Sequence, residues 1–78
     1  MQKIEKLFGA VVRARRERLG LSQEMFAVQA GIHRTYVSAI ELGKVQISIT
    51  IAQRLAEALA TPLSKLWREV EQKAKKAL

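Results

Sequence analysis

The chain has 78 residues, with 14 Lys or Arg against 7 acidic side chains for a net charge of +7, and 49 % of its residues are hydrophobic. Such a length suits one small domain and excludes a second folded unit. A chain this size hides only roughly 60–65 % of its unfolded surface on folding, so association is expected to help stabilise it.

With no Cys, no Asp and one His, disulfides, thiolate chemistry and a structural metal site lack their ligands, and no metal or cofactor is expected. The apolar content is too high for a disordered tail. The excess positive charge points to a polyanionic partner. Nucleic acid fits best, because neutralising phosphates releases condensed counterions, and an anionic membrane surface is the rival. Uncharged stretches such as Val45 to Gln53 fall far short of the ~18 residues needed to span a bilayer. The opening Met-Gln-Lys-Ile-Glu-Lys has no apolar core of a signal peptide, so a cytoplasmic protein is expected.

In chain order, residues 2 to 19 place Ile4, Leu7, Phe8, Val11, Val12 and Leu19 at spacings of three and four, predicting an amphipathic helix that ends at Gly20. Ser22 then suits an N-cap, with Leu21 and Phe26 as a hydrophobic staple, for a second helix running to Ala30. Gly31 suits a left-handed helix end. Only Ile32 and His33 separate it from a third short helix, about Arg34 to Leu42, whose apolar pair is Val37 and Ile40.

Val45 to Ile51 alternates strictly and is β-branched, the best strand signal in the chain. A lone strand would leave its backbone groups unpaired, however, while Ile49, Ala52, Leu55, Ala56 and Leu59 continue as a helical stripe with Ser48 as N-cap. The spacing therefore predicts a loop over 43–47 and a fourth helix from 49 to about 59. Thr61 as cap and Pro62 at the first helical position open a fifth helix with Leu63, Leu66, Trp67, Val70 and Ala74 inward. Its basic end, Lys73, Lys75 and Lys76, complements the helix dipole and is expected to fray.

Two short helices joined by a tight Gly-containing turn form a helix-turn-helix, over about 22–42, in which the second helix reads a DNA major groove. With Val37, Ile40 and Glu41 inward, the outward arc carries Arg34, Thr35, Ser38, Ala39 and Leu42. Arg34 can grip guanine O6 and N7 in a bidentate pair. Thr35 offers a hydroxyl and a methyl, Ser38 a hydroxyl, and Ala39 is small enough to admit a base edge. Ser22 and Gln23 sit where unpaired N–H groups at a helix start meet phosphate oxygens. His33, Lys44 and Gln46 are further phosphate candidates, with His33 also a capping candidate.

The run from Phe8 to Trp67 resembles the Cro and C1 repressor type of helix-turn-helix domain, the XRE family. The resemblance is carried by Arg15-Arg16, Leu19-Gly20-Leu21-Ser22-Gln23-Glu24, Ala27, Gly31-Ile32, Tyr36-Val37-Ser38, Ile40-Glu41-Leu42-Gly43 and Leu55-Ala56-Glu57-Ala58-Leu59. It implies an all-α, five-helix, lambda repressor-like fold, a two-fold dimer on DNA, transcriptional regulation, and an ion pair between Arg16 and Glu41. It also tilts Tyr36 toward a phosphate. Arg34-Thr35-Tyr36 and the short length resemble the restriction-modification controller proteins. Three positions depart from the family pattern: His33 where Ser or Asp often caps, Gln46-Ile47 in place of Asn-Pro, and Ala60 in place of Gly.

Helices four and five, about 49–76, are expected to support the reading unit and to dimerise. Ile47, Ile51, Leu66, Trp67 and Val70 are the candidates for an exposed apolar patch at that homodimer interface. The expected function is a homodimeric, sequence-specific regulator on an inverted-repeat operator in double-stranded DNA, with no membrane and no small-molecule ligand. An antitoxin-like or other protein-interaction module is the alternative. An enzyme is disfavoured, since the lone His lacks an Asp or Cys and no Gly-rich phosphate loop exists.

Overall fold

In the computed structural model, which describes residues 3–76, five helices follow one another: α1 (Ile4–Arg18), α2 (Gln23–Ala30), α3 (Arg34–Glu41), α4 (Ile49–Ala58) and α5 (Leu63–Lys76). All five lie within a residue or two of the bounds that local chemistry predicts. Ser22 and Ser48 accept the amides of Met25 and Ile51, each at 3.1 Å, so both expected N-caps are made. Gly31 closes α2 in the left-handed region at φ 72°. None of the helices among the described residues is long and apolar enough to cross a membrane.

The alternating segment resolves into two local structures. Val45 and Ile47 pack half-buried against the core from a loop, whereas Ile49 opens α4 at 83 % exposure and the inward positions become Ala52, Leu55 and Ala56. Period two gives way to period 3.6 once Ser48 caps the helix. The start of α5 differs by one residue from its expected form. The Pro62 carbonyl accepts from Lys65 and Leu66, so Pro62 precedes the helix, and the buried Thr61 hydroxyl donates to the Leu59 carbonyl at 3.0 Å. The basic end of α5 is helical through Lys76.

The core gathers side chains from all five helices, with Val11 and Val12 of α1, Phe26 of α2, Val37 of α3, Leu55 of α4, and Leu66 and Val70 of α5 fully enclosed. Helix α1 lies against α3 and α5, α2 against α3 and α4, and α4 against α5. The crossing of α1 over α3 is closer than any side chain permits. A Cβ on Gly9 would lie 2.2 Å from the Ile40 carbonyl oxygen and 2.8 Å from that of Glu41, so only glycine lets the two backbones meet there. The pattern of apolar spacing gives no hint of this role. Next to this crossing, the Phe8 and Trp67 rings tilt against each other at a centroid distance of 5.2 Å.

Arg15 clasps α1 to α5. Its Nε lies 3.4 Å from Glu69 Oε1 and its Nη2 donates to Oε2. That hydrogen bonding holds the Glu69 carboxyl below its ordinary value, and Arg15 above its own, with burial opposing both. A carboxyl lowered on folding stabilises fully above its unfolded value of 4.5 and loses that contribution as pH falls below it. The melting temperature of Glu69→Gln should therefore lie below that of the parent at neutral pH, by the equivalent of about 0.2–1 kcal/mol for a partly exposed pair. The gap should close as the medium is acidified from pH 4.5 toward ~3.

Ala60 follows α4 at φ 52°, the one non-glycine with positive φ among the described residues. An L-residue in that region costs roughly 1–2 kcal/mol, and glycine offsets part of the relief through roughly 0.4–1 kcal/mol of extra unfolded-state freedom. Ala60→Gly is expected to stabilise the fold by about 0.5–1 kcal/mol, read in a thermal melt as a rise of about 2–8 °C.

Candidate nucleic-acid interface

The helix pair expected to read DNA is formed by α2, its turn and α3. Beyond Gly31, the Ile32 amide returns to the Ala27 carbonyl at 3.0 Å, which ends α2 tightly enough for α3 to begin at Arg34. His33 occupies the N-cap position in extended geometry, and its carbonyl accepts from Tyr36 and Val37. Its imidazole makes no capping bond. The first turn of α3 therefore has no side-chain cap, unlike those of α2 and α4, which carry serine caps.

Val37 and Ile40 anchor α3 in the core, so the opposite arc is fixed by helical geometry. Arg34 and Thr35 stand exposed at its first turn, Ser38 and Ala39 half-buried along its flank, and Leu42 exposed at its end. The four residues expected to read bases therefore share one accessible side. Arg34 has one neighbour of opposite charge: its Nε lies 4.0 Å from Glu24 Oε1 on α2.

The orientation of this unit is set by a buried cluster. Arg16 Nε donates to Glu41 Oε2 at 2.7 Å and Nη2 to Oε1 at 3.1 Å, a bidentate fork, while Nη1 donates to the Leu21 carbonyl at 2.7 Å. The Arg16–Glu41 pair implied by the family resemblance is present. Both residues are almost enclosed, at 8 % and 7 % exposure. The hydrogen bond to Glu41 holds the Arg16 guanidinium above its ordinary value against the contrary effect of burial.

Gln23 completes the cluster, its Nε2 donating to Glu41 Oε1 at 3.0 Å. Gln23 is half-buried at the first position of α2, and this bond to Glu41 uses one of its amide's two N–H groups. Ser22 is exposed, but its hydroxyl already accepts the Met25 amide. His33, just before α3, and Lys44 and Gln46, just after it, are exposed, and the Tyr36 ring packs half-buried on the core.

The expected dimer patch divides. Leu66 and Val70 are each 0 % exposed and belong to the protomer's own core, so neither lies on a surface patch. They occupy the middle of the α5 stripe, whereas Trp67, one position round the helix, emerges at 39 % exposure. Trp67 and Ile47 line an open cleft of about 420 Å³ together with Ile4, Phe8, Val45 and Leu63. Ile51 is half-buried on α4. Apolar spacing alone does not distinguish the centre of a helical stripe from its rim.

These features define a helix-turn-helix domain of five helices whose second short helix is held rigidly with a polar arc outward. A family model described as "Helix-turn-helix" matches residues 12–66, and the chain belongs to that family. Within it, the chain groups with control proteins. It is 38 % identical over 72 residues to the control protein C.MunI of Mycoplasma, covering 91 % of this chain and 97 % of that one. It is 35 % identical to the restriction-modification controller protein C.AhdI from Aeromonas hydrophila, with a TM-score of 0.78 over 80 % of this chain and 94 % of that one. The controller protein C.Esp1396I, at 19 % identity and a TM-score of 0.86 over 95 % of each chain, shares the fold.

Removing one partner of a buried ion pair strands the other. Glu41→Ala is expected to cost ~3–5 kcal/mol in a denaturant titration, while the double replacement Arg16→Met with Glu41→Leu should cost markedly less because no charge is left buried.

Proposed function

We propose that the chain is a sequence-specific DNA-binding transcriptional regulator, acting in the cytoplasm as a homodimer on an inverted-repeat operator, in the manner of a restriction-modification controller. The observation that carries this reading is the arc of Arg34, Thr35, Ser38 and Ala39 on a helix whose core side and C-terminal turn are both anchored. A helix held so can enter a major groove without reorganising, and its side chains match groove chemistry. Arg34 supplies the forked cation for guanine, Thr35 and Ser38 supply hydroxyls, and Ala39 lets the backbone approach.

The net charge of +7 supplies the sequence-independent attraction to phosphate. His33, Tyr36, Lys44, Gln46 and the backbone at Ser22 and Gln23 flank the reader and set its register on the backbone. The whole chain then acts as one binding domain, with 22–42 reading and 49–76 supporting. Two such units on a two-fold axis would place their reading helices ~34–36 Å apart, in successive major grooves. Ile47, Ile51 and Trp67, around the apolar cleft, are the surface that a second copy would cover. The work of the molecule is binding, not bond-making.

Selection of bound sequences from random duplex DNA should return an inverted repeat, and sedimentation should show two copies per duplex. Against the selected sequence, Arg34→Ala is expected to lose ~1–3 kcal/mol of discrimination, whereas Lys44→Ala weakens all sequences alike and lowers the salt slope by about one. Undiminished discrimination in Arg34→Ala would remove α3 from the reading role.

A further inference from the structure

The one acidic side chain beside the reading arginine has no part in the cap, the turn or the buried cluster. Glu24 lies in the first turn of α2, exposed, with Oε1 4.0 Å from Arg34 Nε. An acidic group on a surface offered to DNA is electrostatically unfavourable, since it faces phosphates. Its position relative to Arg34 has a specific chemical consequence. The guanidinium has two separate hydrogen-bonding edges: Nε on its flank and the paired Nη groups at its tip. Glu24 addresses the flank. The tip is left for the paired acceptors of a guanine, O6 and N7.

Resting on the assignment of α3 as reader, we infer that Glu24 is a positioning residue that sets sequence discrimination through Arg34. When Arg34 reaches a guanine end-on, Nε remains beside Glu24 and the carboxylate charge stays compensated. When the duplex presents no guanine at that place, Arg34 turns to a phosphate, and Glu24 is left uncompensated next to the DNA backbone. Glu24 thereby penalises the wrong complexes more than the right one, which is discrimination by repulsion as well as attraction. Because both side chains are largely exposed, at 61 % and 77 %, the effect is modest, about two- to five-fold in the affinity ratio.

The test compares affinities for the duplex obtained by selection and for a scrambled duplex of the same length, using the full-length chain. Glu24→Gln, which keeps shape and removes charge, is expected to tighten binding to the scrambled duplex by about two- to five-fold while leaving the selected duplex unchanged or weaker. In an Arg34→Ala background the same change should shift both duplexes equally, leaving their ratio where Arg34→Ala alone puts it. A ratio read at one salt concentration does not respond to small changes in fold stability, so a merely structural role for Glu24 would not move it. An unchanged ratio in Glu24→Gln, with discrimination lost in Arg34→Ala, overturns the inference alone. A ratio that Glu24→Gln lowers equally with and without Arg34 also overturns it. Discrimination intact in Arg34→Ala overturns the reader assignment, and this inference with it.

Discussion

A single guanidinium joins three parts of the chain that must be held together for α3 to have a defined direction. Arg16, from α1, takes both carboxylate oxygens of Glu41 at the end of α3 and the Leu21 carbonyl ahead of α2. The same stretch of α1 touches α3 a second time, where Gly9 meets the Ile40 and Glu41 carbonyls. One contact grips the side chain of Glu41 and the other its backbone. Burying a charged pair costs several kcal/mol per ion before the attraction is counted. Here the bidentate geometry, the Leu21 carbonyl and the Gln23 amide together leave no buried side-chain polar atom without a partner among the described residues. The result is a helix pair whose mutual angle is held from behind, which leaves the front free of structural duties.

That division of labour also sorts the charges. Composition counts 14 basic residues as equals, and a summed positive field draws in any polyanion without orienting it. In the folded chain they are unequal. Arg16 is interior, Arg15 is spent on Glu69 and Arg13 on Glu17, while Arg34 stands exposed on the outward arc of α3 and Lys44 exposed just after the helix. The field brings a partner close, and a few side chains with fixed directions decide how it docks.

Much of this was legible before folding, because it is written in near neighbours. The serine caps act on amides three residues on, and the left-handed Gly31 ends α2 within its own turn, so helix limits follow from local chemistry. The strand-like run 45–51 has no partner strand among the described residues for its backbone bonds, and it divides into a loop and the start of α4. The outward arc of α3 follows from Val37 and Ile40 by helical geometry alone. What escaped was the other kind of information. Gly9 reads as a weak point in a helix until another backbone is laid across it, and Gln23 reads as an exposed helix-start residue until Glu41 is brought beside it.

The sequence by itself determined the five helices, the tight turn and the chemistry of the outward face of α3, since periodicity, caps and charge are properties of residues within a turn or two of one another. Tertiary structure decided which members of an apolar stripe are core and which are rim, separating Leu66 and Val70 from Trp67. It decided as well which charges meet, joining Arg15 to Glu69 across 54 residues, whereas the Arg16–Glu41 pair across 25 was implied by the family resemblance and by no local pattern. Spacing along a helix gives direction about its own axis. Only the packing of one helix on another says what lies in that direction.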